Sequence, residues 1–208
     1  YRSDAAGSWD IWVMNTDGSG KQNLTGDAFV NEKPDWSPDG SWIVYNRQKS
    51  SSLDWDVWVM RADGSGKTNL TSQAPGTTAL DPAWSPDGSK IAYVVTSGGW
   101  QVVEEDADGG TVTVRDSSNH RLESPVWDID STTLFYVKYS GEGYEGRANT
   151  SVQRNVAGTP QTLFSDGQHI VMLTHAPRQD LECDINGDGL SDVAIGAPDD
   201  NEAGQPDA

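Results

Sequence analysis

The densest run of oxygen ligands in the 208-residue sequence is Asp184-Ile185-Asn186-Gly187-Asp188-Gly189-Leu190-Ser191-Asp192. Counted from Asp184, side-chain oxygens stand at positions one, three, five and nine, and Leu190 offers a backbone carbonyl at position seven. Glycine occupies position six, where a cation loop turns sharply. Calcium takes six to eight oxygens at about 2.3–2.6 Å, so three carboxylates, one amide oxygen and one carbonyl can wrap a single ion, with water or a bidentate Asp completing the shell. The candidate ligands are therefore Asp184, Asn186, Asp188, Leu190 and Asp192, and the expected cofactor is Ca2+. The competing reading is a metal-free turn, because Asn and Asp side chains bond their own backbone in hairpin connections of this composition.

Other chemistry lacks its local devices. There is no Gly-x-Ser-x-Gly nucleophile elbow and no glycine-rich phosphate loop. His120, His169 and His175 are scattered without metal-ligand spacing, and Cys183, the single cysteine, can form neither an intrachain disulfide nor a cysteine-based zinc site. Acidic pairs abound, but without a spacing that assigns a general acid or base. No catalytic residue is expected, and the chain is read as not an enzyme. Asp106-Ala107-Asp108-Gly109 and Asp54-Trp55-Asp56 are weaker cation candidates; the first is expected to be a turn, and Glu104-Glu105 a solvated strand end. Asn23, Asn69 and Asn149 each head a glycosylation-type triplet.

Composition narrows the partners. With 14 basic against 32 acidic residues the net charge is −18, which repels phosphate backbones and anionic lipid surfaces, so nucleic acid is not expected as a partner. Asp outnumbers Glu by 24 to 8, a bias that favours turns and compact cation loops over a solvated charged face. No apolar run approaches the roughly 20 residues of a membrane helix, so no membrane span is expected. Tyr1-Arg2-Ser3-Asp4 shows neither an initiator Met nor a signal-peptide pattern and reads as the start of a mature product or a fragment.

The elements that must position such a loop come in repeats. Trp-Ser-Pro-Asp-Gly stands at 36–40 and returns 48 residues later at 84–88, and Trp127-Asp128-Ile129-Asp130 is a degraded third copy. Trp9-Asp10-Ile11-Trp12-Val13-Met14 returns as Trp55-Asp56-Val57-Trp58-Val59-Met60, each followed by Asp-Gly-Ser-Gly and Asn-Leu-Thr. A period of about 45 residues is the length of one four-stranded propeller blade. In the first motif Pro presets a type I turn and Gly takes the left-handed position that returns the chain, which makes a hairpin. Trp42-Ile43-Val44-Tyr45 and Lys90–Val95 are β-branched and aromatic, as buried strands are. The reading is a half blade at 9–25, full blades at 34–71 and 82–115, a fourth at 125–164, and a last apolar run at 170–173. The nine Trp include repeat positions Trp36, Trp84, Trp12 and Trp58, expected to pack between blades, and Trp9, Trp55 and Trp100, expected nearer the rim.

These motifs resemble the TolB-like propeller repeat over most of 9–95, and more faintly over 96–175, where the Trp-Ser-Pro-Asp-Gly turn is lost. In an EF-hand or dockerin, position twelve of the cation loop is acidic; here it is Ile195, and Val193-Ala194-Ile195 reads as a strand. The continuation to Pro198 resembles the FG-GAP repeat of integrin α-type propellers, which implies a calcium loop linking two strands of a blade. The expected fold class is thus all-β, a β-propeller of four-stranded antiparallel blades with about four to five blades in this chain, and an incomplete ring because Tyr1-Arg2-Ser3 aligns with the end of a second strand. Residues 1–178 are read as TolB-like blades and 179–208 as the FG-GAP-like segment.

The function expected from this is a non-enzymatic, calcium-binding scaffold, extracellular or periplasmic, with a protein or glycan partner. Two alternatives stand beside it. One is the propeller part of a secreted peptidase or polysaccharide lyase, since TolB-like blades also occur in prolyl-oligopeptidase-type peptidases and pectate-degrading lyases. The other is a structural subunit that forms a homo-oligomer or fibre by completing blades between chains.

Overall fold

The computed structural model describes residues 1–3, 8–49, 54–72, 76–140, 149–165, 172–173 and 195–196. Every regular element among them is a β-strand. The first sheet holds β1 (Arg2–Ser3), β2 (Asp10–Val13) and β3 (Gln22–Asn23) in that order. Three four-stranded antiparallel sheets follow, each in chain order: β4 (Asn31–Trp36), β5 (Trp42–Gln48), β6 (Trp55–Arg61) and β7 (Thr68–Asn69); β8 (Thr78–Trp84), β9 (Lys90–Thr96), β10 (Trp100–Asp106) and β11 (Val112–Ser118); β12 (Leu122–Trp127), β13 (Thr133–Ser140), β14 (Asn149–Val156) and β15 (Thr159–Ser165). We refer to these four sheets as blades one to four. A last pair, β16 (Met172–Leu173) and β17 (Ile195–Gly196), is antiparallel, and β16 lies beside β12 and β13.

The turn chemistry is what the motifs dictate. The Gly40 amide donates to the Ser37 carbonyl at 2.9 Å, while the Asp39 carboxylate accepts from the Ser37 hydroxyl at 2.6 Å and the Ser41 amide at 3.0 Å. Ser85, Asp87, Gly88 and Ser89 repeat the arrangement. The degraded copy keeps it: the Ser131 amide donates to the Asp128 carbonyl, Asp130 accepts from the amides of Thr132 and Thr133, and Ser131 takes the left-handed conformation (φ 55°) held elsewhere by Gly40 and Gly88.

The second motif is a clamp between third and fourth strands. In blade one the buried Asp10 carboxylate accepts from Asn23 Nδ2 at 2.8 Å and from the Thr25 hydroxyl at 2.7 Å, and Thr25 Oγ1 accepts the Ile11 amide. In blade two Asp56, Asn69 and Thr71 repeat these bonds with the Val57 amide. Asn-Leu-Thr is therefore an internal fastener. The amides of Asn23 and Asn69 are engaged in it, which argues against both as glycan attachment points.

Each blade begins earlier than its Pro. The strands β4, β8 and β12 run side by side around the axis, and each breaks register where a left-handed residue precedes Pro: Lys33-Pro34, Asp81-Pro82 and Ser124-Pro125 (φ 54°, 53° and 49°). Pro is tolerated there because each of these strands is the edge of its sheet and the missing amide falls in a bulge. The boundaries expected from the sequence, 34, 82 and 125, fall on the Pro itself and so leave out the strand residues ahead of it.

The core lies between sheets. Ile11 and Leu24 of blade one pack with Ile43, Tyr45 and Met60 of blade two. Val44, Val57 and Ala79 pack with Trp84, Ile91, Tyr93 and Val103 between blades two and three. Val94, Val102, Leu122, Trp127, Leu134 and Tyr136 fill the space between blades three and four. Alternation along β9 sends Ile91 and Tyr93 one way and Ala92 and Val94 the other, so one strand serves two seams. Each large apolar side chain buried in this way contributes about 1.5–3 kcal/mol.

Trp36 departs from its repeat. Trp84 and Trp127 are 4% exposed, and the Trp127 Nε1 donates to the Ala83 carbonyl of β8, whereas Trp36 is 45% exposed. The preceding sheet shows no strand inside β1 among the described residues, so Trp36 lacks the innermost strand on which its counterparts lean.

Candidate functional site

The expected calcium ligands Asp184, Asn186, Asp188, Leu190 and Asp192 lie outside the described residues. What the structure shows is their frame. Met172 pairs with Gly196 and Leu173 with Ile195, so the segment carrying the ligands is closed at both ends by paired strands beside blade four. Among the described residues no group of three or more His, Cys, Asp or Glu is placed to hold a metal. Asp106-Ala107-Asp108-Gly109 forms a turn, the Gly109 amide donating to the Asp106 carbonyl at 2.9 Å. His120 is exposed at the end of β11; His169 and His175 lie outside the described residues.

A cleft of about 700 Å3 lies between blades two and three. Trp42 and Val59 from blade two, Leu70 after β7 and Trp84 from blade three supply its apolar walls. The exposed carboxylates of Asp39, Asp87 and Asp108 line it too. Hydrogen bonds from Ser37 and Ser41 hold the Asp39 carboxyl below its ordinary range. At Asp87 burial works against the charge, but bonds from Ser85 and Ser89 outweigh it and the net shift is also downward. Among the described residues Trp84 Nε1, like Trp12 Nε1, is buried without an acceptor, whereas Trp127 at the same repeat position as Trp84 is satisfied by Ala83.

Comparison with the preceding seam explains why the cleft exists. Asp63-Gly64 of blade two packs onto blade one so closely that a Cβ at Gly64 would stand 2.9 Å from the Leu24 carbonyl oxygen. In blade three the corresponding residues are Asp108-Gly109, and a Cβ at Gly109 meets only Leu70 Cδ1, at 3.8 Å. Leu24 is buried; Leu70 is only partly so. The Asp63 carboxylate is tied into its own turn by the Ser65 amide, while Gly110 stands where a Ser would. Asp106 instead accepts the Thr111 amide, and Asp108 has no hydrogen-bond or ionic partner among the described residues.

A polar network that the sequence did not reveal joins blades three and four. Glu104 and Glu105 are 8% and 5% exposed, not a solvated strand end. Glu104 pairs with Arg115 and lies 3.4 Å from Lys90 Nζ. Arg115 also donates through Nε to Asn155 Oδ1 at 3.1 Å and through Nη2 to the Thr132 carbonyl at 2.6 Å, and Asn155 Nδ2 returns a bond to the Arg115 carbonyl. The signal was present only as a lone Arg in a polar strand, with its partner Asn155 lying 40 residues on. At the rim, Arg2 stacks over Trp9 and pairs with Glu32, and Arg121 lies between Trp100 and Tyr139 and pairs with Glu123. Trp9 is 39% exposed, whereas Trp100 is half-buried against the core between blades three and four.

Comparison with known proteins places this architecture. The family model of the FG-GAP repeat matches residues 183–206. An uncharacterised protein of Agrobacterium fabrum is 32% identical over 143 residues, an alignment covering 63% of this chain and 47% of that protein. Among solved structures, a TolB-type protein of Agrobacterium tumefaciens superposes with TM-score 0.67 at 20% identity, covering 79% of this chain and 60% of that one. An oligogalacturonate lyase of Vibrio parahaemolyticus superposes with TM-score 0.62 at 14% identity, covering 79% and 45%. The described residues share the β-propeller fold of these TolB-type structures, and the segment matched by the FG-GAP model follows them in the chain. The chain spans about half the length of the curated relative it matches.

Proposed function

We propose that this chain is a non-enzymatic, calcium-binding propeller module that serves as an interaction and assembly scaffold in the periplasm or outside the cell. The observation that carries this reading is the FG-GAP match over 183–206, which encloses all five candidate ligands Asp184, Asn186, Asp188, Leu190 and Asp192. The β16–β17 pairing supports it, because a loop closed by paired strands gives up less entropy when an ion orders it. Placement outside the cytosol follows from the metal: a loop of ordinary affinity fills where calcium is plentiful, and extracellular modules bind it at about 10⁻⁴–10⁻³ M. Three carboxylates converging on one ion would otherwise repel each other, so calcium is expected to stabilise the fold through linkage.

Thermal unfolding with calcium and with a chelator tests this. Calcium at 100 times its dissociation constant is expected to add about 2.7 kcal/mol, and Asp188→Ala is expected to abolish that increment while leaving the chelated protein unchanged. Superimposable curves with calcium and chelator overturn the calcium reading. Cleavage of acidic oligosaccharides by the purified chain overturns the non-enzymatic one.

A further inference from the structure

We propose that the cleft between blades two and three is a peptide site that takes a basic side chain, Arg or Lys, flanked by apolar residues. This rests on the scaffold reading above and names the chemistry of one partner. Three observations converge on it. The cleft's volume of about 700 Å3 lies within the usual range of ligand sites, and its walls carry the mixture such sites use, an apolar floor with a few polar groups. Trp42, Val59, Leu70 and Trp84 form the floor. The Trp84 indole is 4% exposed and lines the cleft, so it is a fixed apolar surface whose resonance reports on an occupant.

The charge pattern selects the occupant. Asp39, Asp87 and Asp108 are exposed, line one cleft, and form no ion pair among the described residues. Asp39 and Asp87 each engage one carboxylate oxygen in their own turn, through Ser37 and Ser41 and through Ser85 and Ser89. Among the described residues Asp108 is engaged by neither its turn nor a neighbour, although Asp17 and Asp63 in the corresponding turns are bonded by Ser19 and Ser65. A cation held among three carboxylates, with its aliphatic stem against Trp42 and Leu70, matches the cleft in sign and shape. The cleft is not a generic product of the repeat, because the same seam between blades one and two is shut by Gly64 against Leu24.

The test uses the whole chain labelled with 15N, the blocked peptide acetyl-Leu-Arg-Leu-amide as probe, and acetyl-Leu-Glu-Leu-amide and a neutral glucose oligosaccharide as controls. The Trp84 Nε1–H resonance, assigned with Trp84→Phe, is expected to shift saturably with the Arg peptide alone. Asp108→Asn is expected to weaken binding roughly 2–5-fold, and Leu70→Trp, which fills the floor, to abolish it; both variants are first checked for wild-type thermal unfolding. An unmoved Trp84 resonance, equal binding of the Glu peptide, or preference for the oligosaccharide overturns the proposal. Each titration is run with calcium and with chelator. Peptide binding without a calcium effect on melting keeps the cleft and sinks the calcium reading, and the reverse result sinks the cleft alone.

Discussion

Blade three meets its two neighbours through opposite faces of one sheet, and the two seams are built differently. Toward blade four, Arg115 crosses from the outer strand β11 to Asn155 and Thr132, pairs with Glu104, and is fully enclosed, while Trp127 reaches back to Ala83. Toward blade two the polar bonds lie nearer the axis. Asn46 donates to the Ala79 carbonyl and accepts the Asp81 amide, Asp35 accepts the Trp84 amide, and Lys33 pairs with Asp81 at 3.3 Å. At the turn end that seam opens into the cleft. The repeat motif builds the blade; residues the motif does not specify, such as 108, 115 and 155, decide whether two blades close on each other.

The largest effect is expected at the closed seam. Arg115→Met leaves Glu104 buried without its guanidinium and removes the bonds to Asn155 and Thr132. A cost of about 3–5 kcal/mol is expected, the range for breaking one partner of a buried pair. Lys33→Met is the matching change at the open seam. Lys33 is about half exposed, so its pair with Asp81 is expected to contribute no more than about 1 kcal/mol. Equal losses in urea unfolding would erase the distinction between the seams.

A smaller contrast lies in two glycines with the same φ of +84°. Gly64→Ala and Gly109→Ala both place a Cβ in the left-handed region, at about 1–2 kcal/mol each. Only at Gly64 does that Cβ also strike backbone, the Leu24 carbonyl at 2.9 Å. The Gly64 variant is therefore expected to lose about 1–3 kcal/mol more than the Gly109 variant, measured as the difference in denaturant midpoints. Similar losses would mean that blade one yields to the methyl and that its seam is not tightly shut.

What could be read from the sequence was whatever repeats. Trp-Ser-Pro-Asp-Gly announced its turn, and the degraded copy at 126–130 was recognisable from Trp127 and its spacing, although that Ser131 would take the left-handed place of Gly was not. Asp10 with Asn23 and Thr25 recurred with its spacing intact, so its strands were legible before its hydrogen bonds were. The rest depended on partners across a seam. Glu104-Glu105 looked solvated because nothing local engages them; from other strands, Arg115 neutralises Glu104 and the Tyr93 hydroxyl donates to Glu105. Trp36 looked like Trp84, yet burial of an indole depends on the neighbouring blade. The cleft was invisible because it is a missing contact between two turns 40 residues apart.

Adjacent glutamates on β10 sharpen the same comparison at the smallest scale. Glu104 faces blade four with Val102 and has Arg115; Glu105 faces the other way with Val103 and, among the described residues, has the Tyr93 hydroxyl alone, which donates to its Oε2 at 2.7 Å. Burial raises the Glu105 carboxyl above its ordinary 4.5, an effect the Tyr93 bond reduces and the nearby Asp106 charge reinforces. The folded protein then holds a proton that the unfolded chain has released, so this group's contribution to stability falls as pH rises above about 4.5 toward the raised folded value. Carboxylates such as Asp39 and Asp87 act in the opposite sense, their stabilisation being lost as pH falls through their lowered values. Glu105→Gln keeps an acceptor for Tyr93 and removes the titration. The stability difference between variant and wild type, in which the other carboxylates cancel, is expected to swing toward the variant as pH rises from 4 to 7, by no more than about 1 kcal/mol, the size of one hydrogen bond. A difference independent of pH would mean that Glu105 is as well compensated as Glu104, and that the seam toward blade two carries no unpaired charge.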